Sequence, residues 1–336
     1  MKQMNHSRNN TLDFMKLIAS YMVVFIHVLF YGQVGTLFDA LARFAVPLFF
    51  TVSGFYSYDV TEKQIKRRIV HIFRLLLLAV AAYTLWNVLL YVIAWDIQGL
   101  VQYFSGYSNL ERLAKLFLLN VSLCSVHLWY LYAILYVYIC YLFVLVFKIN
   151  KKIVFLVSLL LLVIHILLGE GLAICKVIVP ITLVRNFALM GIPFFGLGLL
   201  ANRYRYKLCN ISNGIIIISL LIGMVETALS RYFFGKNELY IGSVFVLFSL
   251  VVIFVKYPHM ALPPALILIA SCSTYIYIFH PMVSVVVEMI YSICSFNYYS
   301  SVFLQMLHPI VVCMLSSLLA LVINKIAHNI QISRAS

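Results

Sequence analysis

Lys16 and His27 lie eleven residues apart in an apolar run, Leu12 to Phe30, that also holds Asp13. Read as a helix, the spacing puts the imidazole roughly 16 Å beyond the ammonium, about half the depth of a hydrocarbon core. Lys16 can reach an interface along its own stem, whereas a histidine at that depth is costly and marks a functional group. Desolvation would keep His27 neutral and able to take a proton from a hydroxyl. The same imidazole could instead hydrogen-bond a neighbouring helix.

Three further groups have side chains suited to binding. Thr61 to Arg74, TEKQIKRRIVHIFR, is the densest cationic stretch, and Arg67, Arg68, His71 and Arg74 within it suit phosphate oxygens. Positive-inside topology alone would also place arginines there. Arg43 and Arg185 stand at helix ends without a neighbouring carboxylate in sequence and suit an anionic acceptor or interface snorkelling. His127 precedes Trp129 and Tyr130, a pair typical of membrane boundaries, while Tyr277 and His280 share one face just before Pro281.

The elements that must carry these residues are membrane helices. Of 336 residues, 64% are hydrophobic and 10% charged, and the mean hydropathy is +1.04, so a soluble domain would lack a polar surface. Continuous apolar runs, without the alternation of a β-barrel, predict an all-α polytopic bundle. About ten spans are expected, near 12–31, 41–58, 72–94, 126–147, 153–169, 184–201, 211–230, 240–255, 264–290 and 303–323, within one domain over 1–336 and with no separate soluble domain. Of the 24 lysines and arginines, 17 fall on one side of this map, which puts both termini in the cytoplasm. The net charge of +14 is therefore topological, and nucleic acid is not the implied partner. The first helix is expected to stay uncleaved, because Asp13 and Lys16 interrupt a signal-peptide core. Leu110 to Asn120 could form a short amphipathic helix on the outer interface. Seven scattered cysteines, without Cys-x-x-Cys spacing, suggest neither zinc nor a disulfide framework.

Four segments resemble the acyltransferase 3 superfamily of integral membrane acyltransferases. Asp13, Lys16 and His27 stand where that family commonly has Leu-Asp-Gly-Leu-Arg-Gly followed by a dozen apolar residues and His. RFAVPLFFTVSGFY (43–56) is similar to its phenylalanine-rich stretch ending in Ser-Gly-Phe. Arg68-x-x-His71 occupies the place of Arg-x-x-Arg, with histidine as the departure. Ser273 to Pro281 resembles the late Ser-Tyr-x-Ile-Tyr-x-x-His-Pro segment. The Arg43 motif together with Arg185-Asn186 before Pro-Phe-Phe-Gly is nearest the branch that includes the membrane domain of vancomycin-resistance serine racemases. Racemisation itself is not expected, since no room remains in this sequence for that family's soluble racemase domain.

The resemblance implies a multi-pass enzyme of the bacterial cytoplasmic membrane. It would move an acyl group, acetyl first, from cytosolic acetyl-coenzyme A to a hydroxyl of an extracytoplasmic glycan, without a metal. His27, Asp13 and Lys16 would be catalytic. Arg67, Arg68, His71 and Arg74 would hold the coenzyme, and Arg43, His127, Arg185, Tyr277 and His280 would meet the acceptor. The alternative is a transporter of a serine-like amino acid. A transporter commonly shows repeated halves with broken helices, and no internal repeat is evident.

Overall fold

The computed structural model describes residues 9–295 and 297–335, and these are helical without strands. In chain order the helices of eight residues or more are α1 (Asn10–His27), α2 (Gly32–Phe55), α3 (Glu62–Ile93), α4 (Ile97–Ser105), α5 (Leu110–Leu119), α6 (Val126–Val146) and α7 (Lys151–Ile174). There follow α8 (Phe187–Arg203), α9 (Asn213–Phe234), α10 (Ile241–Lys256), α11 (Pro264–Ser271), α12 (Ser273–Ile293) and α13 (Val302–Ala335). The chain is a polytopic helical membrane protein. By length and apolarity 7 of the described helices can cross a membrane: α2, α3, α6, α7, α9, α12 and α13 as far as Ala327. The remaining three of the ten expected spans are α1, diluted by Asp13, Lys16 and His27, and the shorter α8 and α10. Of the cationic residues behind the orientation, Lys2, Arg8 and the side chain of Arg334 lie outside the described residues.

Helix boundaries follow local chemistry. Asn9 caps α1 by accepting from the Leu12 amide at 2.8 Å, and Asp13 places a negative charge in the first turn, where the helix dipole favours it. Thr61 and Gln64 form a reciprocal capping box that starts α3. The expected single span 264–290 is broken at Cys272 into α11 and α12, in a stretch of four hydroxyl- and thiol-bearing residues. α5 covers most of the predicted amphipathic segment, from its Asn109 cap to Asn120, whose φ of 59° ends it. α4 was not expected. Its exposed Ile97, Val101 and Phe104 are spaced as one helical stripe.

The chain divides into two compact units. One runs through residue 49, resumes over 204–236 and continues from 240; the other covers 50–203 and 237–239. In the first, α1 packs against α10, α11, α12 and α13, and α9 against α10. Its core includes Leu17, Val24, Ile276, Val283 and Val312. In the second, α3 packs on α6 and α7 on α8. There a Cβ on Gly54 would strike the Phe195 carbonyl, so the Ser-Gly-Phe segment admits close helix contact.

Candidate active site

In the first unit the residues expected to act separate along α1. Asp13 and Lys16 pair at 2.6 Å near its start, and His27 is its last residue. The helix therefore ends three residues short of Phe30, and His27 stands at a helix end, exposed, where a buried mid-helix position was expected. The reason is local. Phe25, Phe30 and Phe38 cluster with ring centroids 4.9, 5.0 and 5.5 Å apart, folding the chain back, and Gly32 turns it at φ 60°. Burial inside the protein thus no longer argues for His27 as a base.

The His27 ring lies 5.3 Å from that of His280, with a tilt of 40°. His280 is fully buried on α12, and its Nδ1 lies 2.8 Å from the Tyr277 carbonyl oxygen. A carbonyl only accepts, so Nδ1 carries the proton. Tyr277, also buried, meets Phe49 edge-on at 6.3 Å. Two turns earlier on each helix, the Ser20 hydroxyl lies 3.0 Å from the Ser273 carbonyl. α1 and α12 therefore run in the same direction in register along a shared seam.

Beyond His280, α12 carries a polar group that sequence reasoning had not assembled. Ser284 Oγ is 3.1 Å from His308 Nε2 and donates to Glu288 at 3.2 Å. Tyr291 and Tyr298 stack at 5.6 Å beside His308. Burial raises the Tyr298 phenol above its usual range, and the Glu288 charge adds to this.

Arg43 has a carboxylate close in sequence after all. Asp39, four residues earlier, accepts from its guanidinium, and both side chains are almost wholly buried. Lys236 reaches the other Asp39 oxygen at 3.3 Å. The spacing of four residues could have disclosed the Asp39–Arg43 pair.

In the second unit Arg185 is likewise committed. Its guanidinium grips Glu238 with two bonds, of 2.6 and 2.7 Å, and lies 6.0 Å from the Trp129 ring centre. A partner 53 residues away leaves no local trace in sequence. His127 is buried, with Nδ1 2.8 Å from the Ser125 hydroxyl and its ring 5.0 Å from Tyr83.

Of the four predicted phosphate residues, Arg68 is used internally: it donates to Ser57 Oγ at 2.7 Å and to the Tyr56 carbonyl at 2.8 Å. Arg67, His71 and Arg74 are exposed and, with Lys63, fall on one stripe of α3. An open depression of roughly 640 Å³ near the start of that helix is lined by Val60, Thr61, Glu62, Lys63, Lys66 and Leu145, and by none of the four.

The sequence profile of the Acyltransferase domain family matches residues 9–325, nearly the whole chain. No curated protein and no solved structure matches it.

Proposed function

We propose, from the premise that this chain belongs to the acyltransferase 3 family, that it transfers an acetyl group from cytosolic acetyl-coenzyme A to a hydroxyl of a cell-surface or envelope glycan. The observation that supports this is His27, at the end of α1 with a second imidazole 5.3 Å away between ring centres. His27 takes the proton of the acceptor hydroxyl as its oxygen attacks the thioester carbonyl. The carbon–sulfur bond then breaks, and the proton passes to the departing thiolate. Asp13 in the first turn and Lys16 in the second, paired at 2.6 Å, sit eleven or more residues away along the same helix and do not touch His27; they serve the donor end.

The exposed row Lys63, Arg67, His71 and Arg74 fits the phosphates of coenzyme A better than the predicted set did, because Arg68 is occupied with Ser57 and Tyr56. Exposed guanidinium groups free to form charge-assisted bonds are the donor set that phosphate oxygens require. The enzyme lies in the bacterial cytoplasmic membrane with both termini inside, as the distribution of cations suggests.

The transporter reading relied on Arg43 and Arg185 for a substrate carboxylate. Both already hold carboxylates of the chain, Asp39 and Glu238, so they support neither a carboxylate substrate nor their expected contact with the glycan acceptor. The test is release of coenzyme A thiol from acetyl-coenzyme A by purified protein supplied with envelope glycan as acceptor, with His27→Ala as control. No release by the wild type would remove the proposal.

A further inference from the structure

Pro281 stands inside α12. A proline has no amide hydrogen, so the carbonyl four residues earlier loses its helical donor. That carbonyl belongs to Tyr277, and it is the one that His280 Nδ1–H meets at 2.8 Å. The adjacent proline thus frees the acceptor that the histidine uses. With Nδ1 protonated, neutral His280 carries its lone pair on Nε2. The ring is fully buried and cannot exchange this bond for water.

We infer that His280 is a positioning residue for His27: the carbonyl freed by Pro281 fixes the tautomer that leaves a lone pair on His280 Nε2 beside the His27 ring, 5.3 Å between ring centres, and His280 Nε2 accepts from that ring once His27 is charged by the substrate proton. The register of the seam supports this. Ser20 meets Ser273 at 3.0 Å, and seven residues on along both helices His27 meets His280 at 5.3 Å between ring centres. A seven-residue step returns a helix to the same face when two helices pack side by side. The Ser20 hydroxyl, which also lies 2.9 Å from the Lys16 carbonyl of its own helix, thus marks at Ser273 the height at which the imidazoles face one another. When His27 takes the acceptor proton, its positive charge rests against a lone pair, and His280 gives up no proton.

The inference rests on His27 being the base, and the experiment separates the two. Thiol release from acetyl-coenzyme A is measured for purified His280→Asn, His280→Gln, Pro281→Ala and His27→Ala. Asn keeps an amide donor near the Nδ1 position for the Tyr277 carbonyl but has nothing at Nε2; the longer Gln carries a polar group out to Nε2. The expected result is a kcat lowered about tenfold or more in His280→Asn, partly restored in His280→Gln, with KM for acetyl-coenzyme A unchanged in both. A kcat for Asn equal to or above that for Gln, which a merely structural role would give, overturns the inference. Pro281→Ala restores the amide that competes for the Tyr277 carbonyl while making the helix more regular. It should therefore fold and still lose several-fold in kcat, and an unchanged kcat overturns the inference without reference to the His280 variants. If His27→Ala retains transfer, the base assignment itself falls. If His27→Ala is inactive while His280→Asn turns over like the wild type, only the positioning role falls.

Discussion

His27 and His280 face each other across parallel helices, each two turns beyond the Ser20–Ser273 contact. The seam that holds the pair is mostly apolar, with Val24 and Ile276 in its core, so one hydroxyl supplies much of its directional information. Interhelical hydrogen bonds of this kind contribute on the order of 1 kcal/mol.

Ser20→Ala is accordingly expected to lower thermal stability modestly and to reduce kcat, leaving KM for acetyl-coenzyme A intact. Ser20→Thr, which keeps the hydroxyl, should retain more of both. Equal kcat in Ala and wild type would show that the serine contact does not set the height of the imidazoles.

Arg68 and its neighbours on α3 should part company. Arg68→Ala removes the support of Ser57 and Tyr56 and is expected to lower the unfolding temperature with KM unchanged. The Arg67→Ala/Arg74→Ala double variant should raise KM for acetyl-coenzyme A without lowering kcat, by an amount that shrinks as salt is added. A KM that rises only in Arg68→Ala would return the coenzyme to the residue first expected from sequence.

Asp39→Asn leaves the Arg43 guanidinium buried without its countercharge. Removal of one member of a buried pair costs about 3–5 kcal/mol, so this variant should unfold much earlier than Lys236→Ala, whose ammonium is half-exposed. Chemical denaturation in detergent orders the two. Equal midpoints would mean that Asp39 is not the hub of the cluster.

What was legible in the sequence was whatever depends on near neighbours. Apolar runs disclosed the helical bundle and spacing put Tyr277 and His280 on one face, but the start of α3 was expected near 72, well after the Thr61/Gln64 capping box that begins it. His27 was found by type and position, but its exposure was not, because the Phe25–Phe30–Phe38 cluster that ends α1 works through side-chain packing that periodicity does not register. Glu238 and His308 find Arg185 and Ser284 only after the chain has folded. Arg68 read as a free cation for a related reason: its acceptors, a serine hydroxyl and a backbone carbonyl, carry no charge to be noticed.

Reporter fusions after Lys152 and Lys207 are expected to read cytoplasmic, and one at Gly235 external. An external reading at Lys152 would reverse the orientation and remove the basic row of α3 from the cytosolic donor.

The most direct test concerns the base. Purified His27→Gln protein, inserted and folded like the wild type, is assayed for thiol release from acetyl-coenzyme A at saturating donor. Gln retains hydrogen bonding but cannot take up a proton at neutral pH, so the rate should fall by roughly 10²- to 10⁴-fold, nearly as far as in His27→Ala. A His27→Gln enzyme that turns over at close to the wild-type rate would contradict the account.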